Sequence, residues 1–248
     1  MSNVLLVTGA SRGIGAATAR LAAARGYAVC VNYRTREDEA ERIVDAIKRA
    51  GGTAISAAAD ISKEDEVERL FSRIDAELGR ITALVNNAGI LERQSKLEAM
   101  DAARIERVFA TNVVGAFICT REAIRRMARS RGGSGGAIVN VSSMAARLGS
   151  PNEYIDYAAS KGALDTMTIG LSREVAHEDI RVNAVRPGLI DTEMHASGGE
   201  PGRIERLKSS VPLQRGGTAE EVARAILWLL SDEASYTTGS FIDVSGGK

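Results

Sequence analysis

Short runs of aliphatic and β-branched residues alternate along this chain with longer segments whose apolar positions recur every three or four residues. The short runs predict seven strands, at Val4 to Thr8, Ala28 to Asn32, Thr53 to Ala58, Ala83 to Asn86, Ala137 to Ser142, Arg181 to Arg186 and Ser240 to Val244. Most are apolar at successive positions, as strands buried on both faces are. The periodic segments predict helices at Gly13 to Arg25, Glu37 to Ala50, Lys63 to Leu78, about Ala102 to Arg129, Tyr157 to Ala176 and Ala219 to Leu230. Ser62 and Thr218, each with an acid three positions on, are expected to cap their helices. Each connection can carry a right-handed crossover, so the pattern predicts an α/β fold: one doubly wound parallel sheet with helices on both faces, spanning residues 1–248 as a single domain.

Two glycine-rich stretches break the alternation. Gly132 to Gly136 reads as a flexible surface connection. The polar stretch from Leu189 to Arg203 is too long for an ordinary loop and follows a strand whose carboxyl end should face a ligand, which marks residues 189–203 as a mobile lid.

Composition narrows the partners. Thirty-two basic and 32 acidic side chains leave no net charge, which disfavours nucleic acid and anionic membranes. No apolar run approaches the roughly 18 residues of a membrane span. The chain runs from Met1-Ser2-Asn3 directly into the first strand with no leader, so a cytoplasmic location is expected. Cys30 and Cys119 have neither disulfide nor metal spacing and are expected to be buried apolar residues, and no metal site is expected. Of the two histidines, His177 reads as a surface residue near a helix end, whereas His195, within the lid, is a candidate substrate contact.

The first strand runs into Thr8-Gly9-Ala10-Ser11-Arg12-Gly13-Ile14-Gly15 and then a helix. Glycines at this turn let a pyrophosphate approach the backbone, and the helix amino terminus offers it unpaired N–H groups, so the turn predicts a dinucleotide site. Roughly 20 residues further on, where an acid would hold a ribose 2′-hydroxyl, the chain reads Asn32-Tyr33-Arg34-Thr35. No carboxylate is present there. Arg34 and Arg12 are placed to converge on a 2′-phosphate, which favours NADP(H) over NAD(H).

Tyr157-Ala-Ala-Ser-Lys161 puts a phenol and an ammonium on one helix face. The lysine is expected to stabilise the phenolate and to lower the Tyr157 pKa, bringing proton exchange toward neutral pH. Ser143 ends the preceding strand, where its hydroxyl can meet a substrate carbonyl, while Ser142 should point to the opposite face. Tyr154 is set aside because Ala158, not lysine, stands four positions on.

These motifs, with Asp60 after the third strand, Asn86-Asn87-Ala88-Gly89 after the fourth, Asn112 in the long helix and Pro187-Gly188 after the sixth, resemble the short-chain dehydrogenase/reductase family over the whole chain. The resemblance implies a single Rossmann-type domain, nicotinamide chemistry and a homotetramer. It implies that Tyr157 exchanges the proton, Ser143 orients the carbonyl, Lys161 holds the nicotinamide ribose and Asn112 anchors a relay water. It further implies that Gly9, Ser11, Arg12, Gly13, Ile14, Gly15, Asn32, Tyr33, Arg34 and Thr35 bind the cofactor, as Tyr157 and Lys161 do. Asp60 would meet the adenine, Ile61, Asn86, Ala88 and Gly89 would line the cofactor, and Pro187, Gly188, Ile190 and Thr192 would border the nicotinamide. The Ser143 to Tyr157 spacing is one residue longer than the family's usual one. The small polar residues Ser197 to Gly202 favour a sugar, polyol or other compact polar carbonyl as substrate. A 3-oxoacyl thioester is the alternative, weakened by an acid, Glu178, where carrier-protein docking uses a base. A regulator that senses NADPH without turnover is the reading of another class, and the presence of serine, tyrosine and lysine argues against it.

Overall fold

The computed structural model describes residues 3–248; Met1 and Ser2 lie outside the described residues. Its strands are β1 (Val4–Val7), β2 (Ala28–Tyr33), β3 (Ala54–Ala58), β4 (Ala83–Asn86), β5 (Gly136–Val141), β6 (Ile180–Pro187) and β7 (Phe241–Val244). They form one sheet in the order β3-β2-β1-β4-β5-β6-β7, parallel at every pairing. The alternation of β1 shows how the sheet is covered. Leu5 and Val7 join a core with Ala19, Ala22, Val44 and Ile226, while Val4 and Leu6 join a second core with Phe71, Ile74, Cys119 and Met127. Helices α1 (Gly13–Ala24), α2 (Glu37–Arg49) and α10 (Ala219–Leu230) supply the first layer. Helices α3 (Glu64–Glu77) and α5 (Gly115–Met127) supply the second. The chain leaves β1 toward β2 on one side and returns to β4 on the other, so a crevice opens at the carboxyl ends of β1 and β4.

The remaining helices are α4 (Ala102–Phe109), α6 (Ala145–Leu148), α7 (Ile155–Glu174), α8 (Met194–Ser197) and α9 (Arg203–Leu207). The long helix expected over Ala102 to Arg129 is α4 and α5 joined through a π turn at Ala110–Val114. That turn carries Asn112 inward, and one-turn π insertions of this kind collect at functional sites.

Three local expectations are corrected. Thr218 does cap α10 through a reciprocal box with Glu221, but Ser62 caps nothing: Lys63 holds the N-cap position of α3, and the Ser62 hydroxyl donates to Asp60 Oδ1 at 2.7 Å. Gly132 to Gly136 is a tightly packed connection rather than a flexible one, since a Cβ on Gly133 would lie 2.1 Å from the Met127 carbonyl oxygen. Helix α7 begins two residues before Tyr157. Both cysteines are buried and unbridged, and burial pushes each thiol up to about 12. Among the described residues no helix is long and apolar enough to cross a membrane, and no cluster of three metal-ligating side chains occurs.

Candidate active site

The crevice holds a cleft of about 230 Å³ lined by the turn after β1, the end of β2 and the loop after β4. Gly9 adopts φ +61°, and a Cβ there would lie 2.9 Å from Ala88 Cα, so only glycine lets the turn close against the β4 loop. Asn87 fixes the same junction by donating from Nδ2 to the carbonyls of Thr8 (2.8 Å) and Gly9 (3.0 Å). Asn32 is buried and accepts from Gly9 N–H at 3.2 Å while donating to the carbonyls of Ala57 and Ala59. The result is a concave backbone surface at the amino end of α1, with Ser11, Arg12, Gly13, Ile14, Tyr33, Arg34, Thr35, Asp60, Ile61, Ala88 and Gly89 around it. A dinucleotide's pyrophosphate and adenosine fit a groove of this chemistry: glycine where the backbone must be approached, and guanidinium groups at the rim.

The second cavity, about 170 Å³, opens beyond the β5 and β6 ends and shares Ile14, Asn87, Thr192 and Met194 with the first, so the two are continuous. Ser143, Tyr157, Lys161, Pro187 and Gly188 all line it. Ser143 Oγ accepts from Ala145 N–H at 3.1 Å and shares the cavity wall with Tyr157. Ser142 spends its hydroxyl on the Lys161 carbonyl, to which it donates at 3.2 Å. Lys161 is buried, its Nζ donates to the Val141 carbonyl at 2.8 Å, and it lies 5.5 Å from the centre of the Tyr157 ring. Asn112 is fully buried: Oδ1 accepts from Ile90 N–H at 2.7 Å, and Nδ2 donates to Ile90 O at 3.0 Å and to Ser160 Oγ at 3.1 Å. A Cβ on Gly89 would be 3.4 Å from both Lys161 Nζ and Asn112 Oδ1, so the loop, the lysine and the asparagine meet at one point.

The expected lowering of the Tyr157 pKa is reversed. Burial pushes the hydroxyl up to about 12, and the neighbouring Ser143 hydroxyl offsets only part of this. Burial likewise lowers Lys161 to about 8, with Asp165 pulling the other way. The phenol therefore keeps its proton at neutral pH, and the lysine remains largely charged.

Several predicted positions fall outside the cavity walls. Asn86 is buried and donates to Thr120 Oγ1 (2.8 Å) and Asn140 Oδ1 (2.9 Å), bracing the sheet, and its neighbour Asn87 takes the wall position. Gly15 and Asn112 act from behind the lining: a Cβ on Gly15 would lie 2.5 Å from Asn87 Nδ2. Asp60 accepts from Ser62 and lies 3.9 Å from Arg34 Nη1. Arg12 is turned onto Glu193 rather than toward Arg34. Arg36 and Glu193, which the sequence motifs do not single out, also line the first cleft.

The stretch Ser197 to Gly202 contributes nothing to the wall of the second cavity. Leu91, Met144, Leu148, Leu189, Met194 and Leu207 dominate it, so the basis for expecting a polar substrate is removed. Tyr154, excluded as a proton donor, packs into this wall beneath the Arg203 guanidinium, 5.2 Å from its ring centre. His195 lines the cavity too, with Nε2 2.9 Å from the Ile190 carbonyl, and burial lowers its pKa. His177 is exposed, 3.6 Å from Glu178.

A doubly wound parallel sheet with a glycine turn at its switch point and a serine, tyrosine and lysine at its carboxyl edge defines a class of nicotinamide-dependent oxidoreductases, and the chain belongs to the short-chain dehydrogenase/reductase family. The family description that matches, over residues 9–248, is enoyl-(acyl carrier protein) reductase. An uncharacterized oxidoreductase of Escherichia coli K12, YgfF, is 62% identical over 245 residues, covering 99% of each chain. The 3-oxoacyl-[acyl-carrier-protein] reductase FabG of Staphylococcus aureus is 37% identical, covering 100% of this chain and 98% of its own. A crystal structure of a short-chain type dehydrogenase/reductase from Mycobacterium marinum superposes with a TM-score of 0.92 at 34% identity, covering 99% of this chain and 94% of that one.

Proposed function

We propose that this oxidoreductase is NADP(H)-dependent and interconverts a small carbonyl compound and its alcohol, with an apolar flank on the substrate. The observation that carries the reading is that Tyr157, Ser143 and buried Lys161 line one cavity continuous with the cofactor cleft, with Lys161 Nζ 5.5 Å from the centre of the Tyr157 ring. The bound nicotinamide supplies hydride to the carbonyl carbon in reduction and accepts it in oxidation. Ser143 orients the carbonyl oxygen, and Tyr157 donates its proton to that oxygen as the C–H bond forms. A phenol that holds its proton at neutral pH is in the form that carbonyl reduction consumes. Lys161 sets the potential beside Tyr157, and Asn112 holds the Ile90 backbone behind them.

The phosphate preference rests on the absence of a carboxylate over residues 32–35 and on Arg12, Arg34 and Arg36 at the same end of the cleft. The apolar cavity wall moves the substrate reading from sugars and polyols toward apolar-flanked ketones. It also supports the second reading, a 3-oxoacyl thioester, the substrate class named for the Staphylococcus aureus relative. Residues 189–203, which bridge both cavities, act as the lid. Val114, Phe117 and Ile169, apolar and about half exposed on the π turn, α5 and α7, supply a face for a homotetramer.

The test is consumption of NADPH, with NADH as control, against ketones, aldoses, quinones and a 3-oxoacyl thioester, beside Tyr157→Phe. Turnover that prefers NADPH and vanishes in the variant is expected. Equal turnover in the variant would remove Tyr157 from its role, and cofactor binding without turnover on any substrate would favour the sensor reading. Light scattering should give a mass near four times that of one chain, and a concentration-independent monomer would overturn the tetramer.

A further inference from the structure

The cofactor cleft carries an anion of its own. Arg12 lies in the turn after β1, Arg36 at the N-cap position of α2, and Glu193 just before α8, yet all three line the same cleft. Arg12 Nη1 is 2.7 Å from Glu193 Oε2, and Arg36 Nη1 is 3.4 Å from that same oxygen. A second nitrogen of Arg12 donates to Ser197 Oγ at 3.3 Å, at the far end of α8. One carboxylate oxygen thus bridges two guanidinium groups from separate elements, as a phosphate oxygen does in sites built from arginine. The pairing is strong enough for Arg12, and after it Arg36, to hold the Glu193 carboxyl below its ordinary range despite its exposure.

We infer that Glu193 is a specificity-determining residue: its carboxylate competes with the cofactor's 2′-phosphate for Arg12 and Arg36. The inference rests on the NADP(H) reading above. A phosphate monoester carries a charge of about −1.5 to −2 near neutral pH, against −1 for the carboxylate, so it displaces Glu193 from the shared guanidinium groups. A cofactor with a free 2′-hydroxyl brings no such anion and leaves the clasp closed. Glu193 therefore reduces the advantage that three arginines would otherwise confer on the phosphorylated cofactor. Its displacement also frees the amino end of α8, while the far end of the lid stays held by Arg203 and Arg206 against Glu153 and Glu200.

The experiment compares wild type, Glu193→Gln and Glu193→Asp by isothermal titration with adenosine 2′,5′-bisphosphate, adenosine 5′-monophosphate, NADPH and NADH. Hydrogen exchange over residues 189–203 is followed in parallel. Glu193→Gln should tighten NADPH and the bisphosphate about three- to tenfold, a range set by one exposed ion pair and the removed repulsion. NADH and the monophosphate should change by less than about twofold, and Glu193→Asp should fall between the other two proteins. In wild type the bisphosphate should speed exchange near α8, whereas in Glu193→Gln that exchange should be fast without ligand. If wild type prefers the bisphosphate but Glu193→Gln binds it no more tightly, the competition is overturned while the cofactor reading stands. If wild type binds the two fragments equally, the cofactor reading fails and the competition with it.

Discussion

Replacing Asn112 by alanine tests the join between the π turn and the site. The side chain makes three hydrogen bonds, to both backbone groups of Ile90 and to Ser160, and it is fully buried. Ser160 keeps a partner in the Tyr157 carbonyl, 2.7 Å away, but the Ile90 N–H and C=O lose theirs. At about 0.5–1.5 kcal/mol for each net bond, with the upper end for groups left unpaired, the loss is about 2–4 kcal/mol. For a chain of this length that corresponds to a fall of roughly 5–15 °C in Tm. Ile90 also lines the cofactor cleft, so NADPH affinity should fall with it. Protonated at low pH, Asn112→Asp keeps an acceptor for the Ile90 N–H and one of the two donors, so it should lie between wild type and alanine in stability there. Calorimetry at one fixed protein concentration, with a parallel NADPH titration, reads both quantities. A Tm change under about 2 °C with unaltered cofactor affinity would refute the assignment of Asn112 as the brace of this loop.

Three further outcomes are expected. Arg34→Ala should weaken NADPH by roughly 1–3 kcal/mol and leave NADH unchanged in titration; equal losses would sink the phosphate assignment. Gly9→Ala combines a φ of +61° with a Cβ 2.9 Å from Ala88 Cα. It should cost at least about 1–2 kcal/mol in chemical denaturation and abolish cofactor binding, and near-wild-type values for both would contradict the packing. For Lys161, burial lowers the pKa from 10.5 to about 8, so between those values the unfolded chain holds a proton that the folded chain has lost. Its contribution to stability then rises with pH across that window, and the full cost, present below about 8, is on the order of 3 kcal/mol. Cys30 and Cys119 act oppositely above about 9, because the folded thiols stay protonated up to about 12. The comparison is therefore wild type against Lys161→Met: any stability excess of the variant should shrink from pH 8 to 10.5, and a constant difference would rule out burial of the charged lysine.

The alternation of strand and helix was legible because each β-strand residue commits its side chain to one of two helix layers, as Val4, Leu5, Leu6 and Val7 do. Ser143, Tyr157 and Lys161 were legible because helical spacing and strand polarity bring them to one edge. The π turn was not, since the apolar period runs through Ala110–Val114 without a break and the extra residue is stabilised by contacts of Asn112 with a distant loop. Asn86 and Asn87 are adjacent with opposite fates, decided by which side of the strand end each faces. Glu193 escaped notice because ion pairing between residues 181 positions apart has no local periodicity. The Tyr157 pKa direction failed because the local pair suggested charge stabilisation, whereas desolvation by the folded surroundings dominates.

The segment over both cavities is fastened at each end by charge: Arg12 and Arg36 on Glu193, then Arg203 and Arg206 on Glu153 and Glu200. Asp191, Glu193, Ala196, Ser197, Gly199, Pro201 and Gly202 along it are exposed. Such a fastening responds to the medium in a way that a greasy contact does not. Raising salt from dilute buffer to about 1 M shortens the screening length from tens of ångströms to about 3 Å, weakening the exposed clasp on Glu193 before the better-shielded one around Arg203. Ionic strength should therefore change how fast small molecules enter and leave while the β-sheet beneath keeps its thermal stability, separating access from folding in one protein.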